Sequence, residues 1–462
     1  MKEETVMKGM KRTEKSKDMT MGSPMAAILR FSIPLIIGTM FQQGYNIVDT
    51  MIVGKFLGVD ALAGVGSTGS INYLIISTCI GICNGFAVPV AQQIGAGNEN
   101  EVRRYVAGAI RLSAYFAVVI TVVVVLMTKT ILRWMNTPED IFSYAYQYIR
   151  IIFMGIPVVF LYNLTVAISR AMGDSKTPLM FLMFSSGLNI LLDICFILLL
   201  KMGVAGAAMA TVIAQLVAGL CCLIYIRKKY SALRLGKEDW EWNPRYASNL
   251  CAMGIPVGLQ ITAIAIGGLS AQSAVNGLGS AAVASVAAGD KIHAFLGCPL
   301  ETLGVAAVTY SGQNTGAGKT DRLIQGTKAM FAFVCVYSVV ALGIQLLLGR
   351  QMLLLFLEPE AEVIINQSRR YLICLALTYI PLGIITTFRS MIQGMGYVAL
   401  AMLAGVFETL GRVGVSVLLV PRFGFSAVCL STPVAWIITA SFLVLALIGC
   451  MKTVKRRVGT VG

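Results

Sequence analysis

Charged residues are scarce in this chain. Only 13% of its 462 residues are Asp, Glu, Lys or Arg, whereas soluble proteins carry about 25%. The hydrophobic share is 57%, and apolar segments of about 20 residues or more, each able to cross a hydrocarbon core of about 30 Å, recur from end to end. The shortage of charge therefore predicts an all-α integral membrane protein and argues against a soluble domain.

Metal ligands and catalytic signatures are also missing. His293 is the single histidine, and the 11 cysteines include no CxxC pair, so a structural or catalytic metal is not expected. No HExxH, GxSxG or Walker motif occurs. The net charge of +15 comes from Lys and Arg in the tails and alternate loops, which is how membrane proteins set their orientation and gives no reason to expect nucleic acid. We expect neither an enzyme nor a cofactor.

Twelve apolar segments follow one another, with a polar linker after the sixth. Their approximate ranges are 26–53, 59–92, 102–127, 139–171, 177–200, 204–226, 247–275, 280–312, 322–348, 360–392, 397–420 and 425–450. The predicted organisation is a cytosolic tail (1–22), an N-terminal six-helix bundle (23–226), a cytosolic linker (227–246), a C-terminal six-helix bundle (247–450) and a second cytosolic tail (451–462). The distribution of Lys and Arg predicts that both termini and the linker lie on the cytoplasmic side. The expected location is a bacterial-type cytoplasmic (inner) membrane.

The two parts of the chain repeat each other in register. Pro34 in FSIPLIIG matches Pro256 in MGIPVGLQ, and QQIGAG at 92–97 matches QNTGAG at 313–318, at offsets of 222 and 221 residues. Since six spans per repeat is an even number, both repeats have the same orientation and are related by a pseudo-twofold axis along the membrane normal. Two pseudo-symmetric bundles of this kind predict alternating access around a central cavity.

Oxygen-bearing side chains lie at one depth in the N-terminal bundle. Counted at about 1.5 Å per residue from the outer ends of their spans, Asp49, Asp193 and Thr211 each lie roughly 12–13 Å into the membrane. Asn189 lies one helical turn from Asp193 on the same face. Two neighbouring carboxylates need a proton or a cation between them, so these four residues form a predicted site for H⁺ or Na⁺. The alternative to an ion site is that Asp49 lies at the membrane interface or is paired permanently with a basic residue.

Further polar residues are candidates for lining a substrate cavity. Gln42, Tyr45, Asn46 and Asp49 follow the spacing i, i+3, i+4, i+7 and share one face of the first span. Interhelical hydrogen bonding is an equally good interpretation of this stripe. Asn163 in the fourth span is another candidate for the cavity wall.

The C-terminal bundle lacks the acidic cluster, because Ala271 stands at the position that matches Asp49. Glu408 and Arg412 are spaced i, i+4 in the eleventh span and are predicted to neutralise each other. Three further ionisable residues of the eighth span receive no role from the sequence: Asp290, His293 and Glu301.

An ordered set of motifs resembles the multidrug and toxic compound extrusion (MATE) family over residues 23–451: IPLIIGTMFQQGYNIVDTMIVGKFLG, AQQIGAG, SRAMGDSKTP, NILLD and MGVAGAAMAT. The resemblance implies two six-helix bundles in a V and cation-driven export of amphipathic, often cationic compounds. In the branch of the family whose cation site lies in the N-terminal lobe, it assigns that site to Asp49, Asn189, Asp193 and Thr211. Span 7 has Gln260 and no Asp or Glu, so the variant with C-terminal-lobe carboxylates is not implied.

The leading hypothesis is a secondary active multidrug antiporter coupled to H⁺ or Na⁺, working as a monomer in the lipid bilayer on small amphipathic or cationic substrates. No metal is expected beyond Na⁺ at the cation site, and no nucleic acid. The alternative is a flippase for a lipid-linked sugar or another lipid of similar fold. Such a flippase would favour a strongly basic cavity, whereas the N-terminal bundle offers acidic residues. A membrane-embedded receptor or enzyme is a third, weaker alternative.

Overall fold

The computed structural model describes residues 18–459, and the regular structure in this part of the chain is helical throughout. The helices of the first half (residues 24–229) are α1 (Pro24–Leu57), α2 (Val59–Ser67), α3 (Gly69–Gly95), α4 (Glu99–Trp134), α5 (Glu139–Met154), α6 (Ile156–Ala171), α7 (Lys176–Asp193) and α8 (Gly203–Lys229). A π-helical segment (Ile194–Leu199) follows α7, and two short 3₁₀ segments (Ser231–Leu233 and Glu238–Trp240) connect the halves.

The second half (residues 244–459) follows a similar but not identical order of elements, since its second span is one continuous helix. Its helices are α9 (Pro244–Asn276), α10 (Ser280–Gly316), α11 (Thr320–Leu353), α12 (Glu362–Leu377), α13 (Tyr379–Gly394), α14 (Val398–Leu418), α15 (Val420–Phe423) and α16 (Phe425–Gly459). Over the described residues, ten helices are long and apolar enough to cross a membrane, and two bent pairs raise the number of spans to twelve. The predicted all-α membrane fold with twelve spans is confirmed. The predicted second span, 59–92, is interrupted at Thr68, between α2 and α3.

Spans 4 and 10 are bent at equivalent places. Helices α5 and α6 meet at 49° across Gly155, and α12 and α13 meet at 50° across Thr378. Pro157 and Pro381 each follow the break within a few residues. Proline removes a backbone donor and crowds the preceding turn, so a helix bends readily there. The matched bends reproduce in structure the repeat that is visible in the sequence.

The two halves meet backbone to backbone at the C-terminal ends of α3 and α10. A β-carbon on Gly95 would lie 1.9 Å from Gln313 O, and one on Gly316 would lie 1.7 Å from Gln92 O. Only glycine permits so close an approach, which explains why the QQIGAG and QNTGAG motifs retain it. The side-chain amides of the same two glutamines donate to carbonyls at the ends of α13 and α6, at 2.9 and 2.8 Å. This seam (Gln92, Gly95, Gln313 and Gly316) closes the end of the interface that is predicted to be cytoplasmic.

The segment before α1 packs against the second half at the same end. Met19 and Thr20 are buried. Met19 N donates to Gln313 Oε1 at 3.0 Å, Lys319 Nζ donates to Thr20 O at 2.9 Å, and Arg322 donates to Met19 O at 3.1 Å. Residues 19–22 of the predicted cytosolic tail (1–22) therefore pack against the second half, because their backbone groups find partners there, and the cytosolic placement of the tail stays a prediction. The rest of that tail, 1–17, lies outside the described residues.

At the other end of the chain, α16 continues to Gly459. Much of the tail predicted for residues 451–462 is thus an extension of the last helix.

Candidate functional site

Asp49 lies in the last third of α1 and is half-buried. Its neighbour Val53 packs with Ile197 and Ala207 in a small apolar cluster, which holds this part of α1 against the π-helical segment and α8. Asp49 Oδ1 is buried without a hydrogen-bond partner among the described residues. A shielded carboxylate oxygen without a donor is costly, so it marks a place where a further group is expected to bind.

Asp193 is the last residue of α7, directly before the π-helical segment Ile194–Leu199. The side chain is fully buried, and Asp193 Oδ1 also has no hydrogen-bond partner among the described residues. Single π-helical turns inside α-helices are rare and occur frequently at functional sites. The carboxyl groups of Asp193 and Asp49 are direct neighbours, close enough to hydrogen bond when one of them carries a proton.

Asn189 connects the other members of the cluster. It is buried, its amide contacts the Tyr45 hydroxyl, and it lies 3.5 Å from Thr211 Oγ1. Turned so that its nitrogen faces the carboxylate, the amide donates to Asp193 Oδ2 at 3.2 Å and accepts from Thr211 N at 3.1 Å. The structure thus brings together the four residues that the sequence placed at one depth: Asp49, Asn189, Asp193 and Thr211. We call these four residues the acidic cluster.

Two tyrosines, Tyr45 and Tyr148, lie next to the acidic cluster. Neither belongs to the predicted cation site. Tyr45 was expected to line a substrate cavity, but its hydroxyl contacts Asn189 directly. Tyr148 of α5 lies close enough to interact electrostatically with both aspartates and packs against the apolar cluster of Val53. Helical spacing could have found Tyr45 as a neighbour of Asp49, whereas nothing in the sequence indicates which face of α5 meets α1.

No ion pair in the described part of the chain involves Asp49 or Asp193. The alternative of a permanent basic partner for Asp49 is therefore not found in this part of the chain. Two adjacent carboxyl groups can share a proton, or they can hold a monovalent cation together with the amide and hydroxyl oxygens of Asn189 and Thr211. Either event cancels charge that the protein itself leaves uncompensated.

The remaining residues predicted to line a cavity are Gln42, Asn46 and Asn163. Gln42 and Asn46 are exposed on α1. Asn163 is half-buried in α6, and its Nδ2 donates to Val159 O one turn earlier, at 2.8 Å. A role in substrate binding for Gln42, Tyr45, Asn46 and Asn163 stays a prediction.

In the second half, the carboxylate of Glu408 is paired with arginines of the same half. Glu408 is buried and accepts from Arg412 at 2.8 Å, which confirms the predicted i, i+4 pair. Arg389 of α13 is a second partner, at 3.4 Å. The sequence did not reveal Arg389 because it lies on a different span.

Two ionisable residues of span 8, Asp290 and His293, each contact a tyrosine. Tyr371 Oη donates to Asp290 Oδ1 at 2.8 Å, and His293 Nδ1 lies 3.0 Å from Tyr379 Oη. Asp290 and His293 border a cavity of about 210 Å³ within the second half, whose wall includes Ala271, the residue that matches Asp49.

A larger cavity of about 580 Å³ lies between the halves. Its walls come from α3 and α6 of the first half and from α9, α10, α13, α14 and α16 of the second half. Ala91 and Ala171 place one end of it beside the seam. Its volume lies within the range of about 300–1,000 Å³ that is usual for small-molecule sites. Its charged lining residues are Arg170, Glu301, Arg389, Glu408 and Arg412.

Comparison with known protein families gives two matches along the chain. The MatE family model matches residues 34–195 and 256–418. The two matches begin at Pro34 and Pro256, the proline pair of the predicted repeat.

Curated relatives and solved structures agree with this result. "Probable multidrug resistance protein YpnP" of Bacillus subtilis is 30% identical over 387 residues, covering 83% of this chain and 85% of the relative. "Probable multidrug resistance protein YoeA" of the same organism is 29% identical over 388 residues, covering 82% and 83%. A solved structure described as "Outward-facing conformation of a multidrug resistance MATE family transporter of the MOP superfamily" has a TM-score of 0.89 and 24% identity, and covers 96% of this chain and 100% of that one. At that identity the structural likeness shows the fold alone.

Proposed function

The chain belongs to the MATE family of multidrug efflux transporters, and on that premise we propose that it exports small amphipathic compounds, cationic ones among them, in exchange for H⁺ or Na⁺. It is a multi-pass membrane transporter and not an enzyme. The two Bacillus subtilis relatives carry the name "Probable multidrug resistance protein", which does not favour a flippase for lipid-linked sugars.

The observation that supports ion coupling is the adjacent pair of Asp49 and Asp193. Each has a buried oxygen without a hydrogen-bond partner among the described residues, and neither has a basic partner there. Charge that the fold itself does not cancel can be cancelled reversibly by an ion from either side of the membrane. In that mechanism, a proton or Na⁺ bound at the acidic cluster stabilises one arrangement of the helices, and its release stabilises another.

Alternating access needs an end that closes and helices that can bend. The seam closes one end of the central cavity by contacts between the two halves. The breaks at Gly155 and Thr378 supply a bend in each half. We expect opening of the seam to be the step that exposes the cavity to the cytoplasm. Because both halves and the acidic cluster belong to one chain, the expected functional unit is a monomer, which light scattering on the purified protein would check.

Reconstitution into proteoliposomes tests the function and the coupling ion together. Ethidium export is measured under a pH gradient alone, a Na⁺ gradient alone and no gradient. We expect wild-type export to accelerate under at least one gradient. Asp49→Asn keeps the shape of the side chain but removes the exchangeable charge, so its gradient-driven export is expected to fall by at least about tenfold, the factor that corresponds to about 1.4 kcal/mol.

Protein quantity and orientation in the vesicles must match between wild type and variant. Export that responds to neither gradient would contradict the antiport proposal. Gradient-driven export by Asp49→Asn at the wild-type rate would leave antiport standing but remove the acidic cluster as its site.

The cytoplasmic placement of the linker is a separate proposal, supported by the excess of Lys and Arg there. A cysteine substituted for Lys237, in a background without the 11 native cysteines, is expected to react with an impermeant maleimide only after the cells are opened. Labelling of intact cells at this position would reverse the topology.

A further inference from the structure

The charges that line the central cavity do not balance. Three arginines and two glutamates of the described chain line it: Arg170, Arg389, Arg412, Glu301 and Glu408. The four that belong to the second half form one connected group. Glu408 binds both Arg412 and Arg389, and Glu301 lies within electrostatic range of Arg389. By formal charge this group carries two charges of each sign and is neutral as a whole.

Arg170 is the remaining charge, and it comes from the first half. It lies in the last turn of α6 and is half-buried. No ion pair in the described part of the chain involves it. Its Nε is buried without a hydrogen-bond partner among the described residues. The ionisable neighbour that acts on it is Tyr162, a phenol that is neutral at physiological pH.

The nearest acidic residue along the chain, Asp174, is already engaged. It is buried and accepts from Lys229 Nζ at 2.8 Å, from Tyr230 Oη at 2.8 Å and from Thr177 Oγ1 at 2.6 Å. These partners tie the loop after α6 to the end of α8 and account for the Asp174 carboxylate. They leave the guanidinium of Arg170 as the uncompensated cation of the cavity.

We propose that Arg170 is the anion-binding residue of a substrate site in this cavity, and that the substrates include amphipathic organic anions. A guanidinium offers planar, paired donors that match a carboxylate, sulfonate or phosphate. The apolar body of such a compound has a matching wall, formed by Ile80, Ile261, Ile264, Val305 and Val308. This inference rests on the proposed function and refines its substrate class.

The position of Arg170 also connects binding with opening of the cavity. The next residue, Ala171, accepts the hydrogen bond from Gln313 that forms part of the seam. An anion held by Arg170 therefore lies at the closed end, next to contacts that must break before the cavity opens to that side.

Equilibrium binding to purified protein in detergent tests the site without any ion gradient. The probes are fluorescein, an anion, and rhodamine 6G, a cation with a related ring system, both followed by fluorescence anisotropy. Arg170→Gln is expected to weaken fluorescein binding about tenfold or more, as for the loss of a charge-assisted hydrogen bond, and to leave rhodamine 6G within about twofold of wild type. Arg170→Lys keeps the charge but loses the paired donor geometry, so its affinity for fluorescein is expected to lie between those of wild type and Arg170→Gln.

Arg150→Gln is the matched control, because Arg150 lies on α5 of the same bent span but is exposed. It is expected to bind both dyes like wild type. Equal losses for both dyes in Arg170→Gln, or unchanged fluorescein binding, would overturn the proposal and leave Arg170 a structural residue. Since no gradient is applied, this result is distinguishable from a failure of ion-coupled export, which the ethidium assay reports.

A lipid could supply the same anionic chemistry, and a second arm separates the two sources. Transbilayer movement of a fluorescent phosphatidylglycerol is measured in the same proteoliposomes. Movement that depends on Arg170, combined with fluorescein binding that does not, would identify a lipid headgroup as the occupant and overturn the assignment to soluble organic anions.

Discussion

The two halves share one backbone plan but treat buried charge in opposite ways. In the first half, Asp49 and Asp193 lie side by side without a basic partner in the described part of the chain. In the second half, Ala271 replaces the first of these aspartates, and the buried Glu408 is held between Arg389 and Arg412. The bends of 49° and 50° show that span 4 and its counterpart, span 10, have nearly the same shape.

This difference distinguishes buried charge that is paired within the fold from buried charge that an ion can neutralise reversibly. A carboxylate with two guanidinium partners is fully compensated, so it has no need of an ion from solution, and removing one partner harms the fold. Two carboxylates without a partner repel each other until an ion binds. A repeat can therefore keep its geometry in both halves while only one half carries a site that senses an ion gradient.

The largest expected effect comes from removing the exchangeable charge. Asp193→Asn is expected to reduce gradient-driven export as strongly as Asp49→Asn, by at least about tenfold. The double variant is expected to be no worse than either single variant, because the two carboxyl groups bind one ion as a unit. Export rates in proteoliposomes with matched protein quantities give all three values.

Additive losses in the double variant would show that the two aspartates act separately. Full export by the double variant would show that ion coupling does not depend on the aspartates of the first half. The ion site would then have to be sought in the second half, with Asp290 and Glu301 as the carboxylates to test.

Removing the compensated charge of Glu408 is expected to affect transport less than the aspartate variants do. It is expected to lower the stability of the fold clearly. Glu408→Gln leaves both Arg389 and Arg412 without their carboxylate, at a cost of about 3–5 kcal/mol for breaking a buried pair. Arg412→Gln is expected to be milder, because Arg389 remains bound to Glu408. Thermal unfolding in detergent, followed by size-exclusion chromatography, ranks the variants. Wild-type stability of Glu408→Gln would show that this carboxylate is not structural.

The proximity of Asp49, Asn189, Asp193 and Thr211 was predictable from the sequence, and rotation about the helix axes was not. A fixed rise per residue sets how deep Asp49, Asp193 and Thr211 lie once the span ends are known. Which neighbours they meet depends on tertiary packing, so the proximity of Tyr148 to the two aspartates and the second partner of Glu408 became visible only in the structure. The π-helical turn after Asp193 likewise has no signal in its sequence, ICFILL.

The repeat itself was predictable because the residues that mark it are required by the local backbone geometry. Gly95 and Gly316 are required where two backbones touch, and Pro157 and Pro381 follow the bends. The docking of residues 18–22 was not predictable, because these residues directly follow a charged, polar stretch and looked like the end of the same tail. Their partners lie almost 300 positions away along the chain, at separations of 294 and 299 residues.

The smallest expected effect is at Thr211. Thr432 follows it by 221 residues, the offset of the repeat, and makes the test specific to one half. Thr211 Oγ1 donates to Ala207 O at 3.1 Å, which leaves its lone pairs available to an ion as a neutral ligand. Thr211→Val removes this oxygen and keeps the shape, so apparent ion affinity is expected to fall by about two- to tenfold, as for the loss of one neutral hydrogen bond. Thr211→Ser keeps the oxygen and is expected to behave like wild type. Thr432→Val makes the same change beside Ala271, where no equivalent acidic pair lies in the described chain, and is expected to leave the ion dependence of export unchanged. Equal shifts in Thr211→Val and Thr432→Val would mean that the hydroxyls support helix packing in both halves and that neither is an ion ligand.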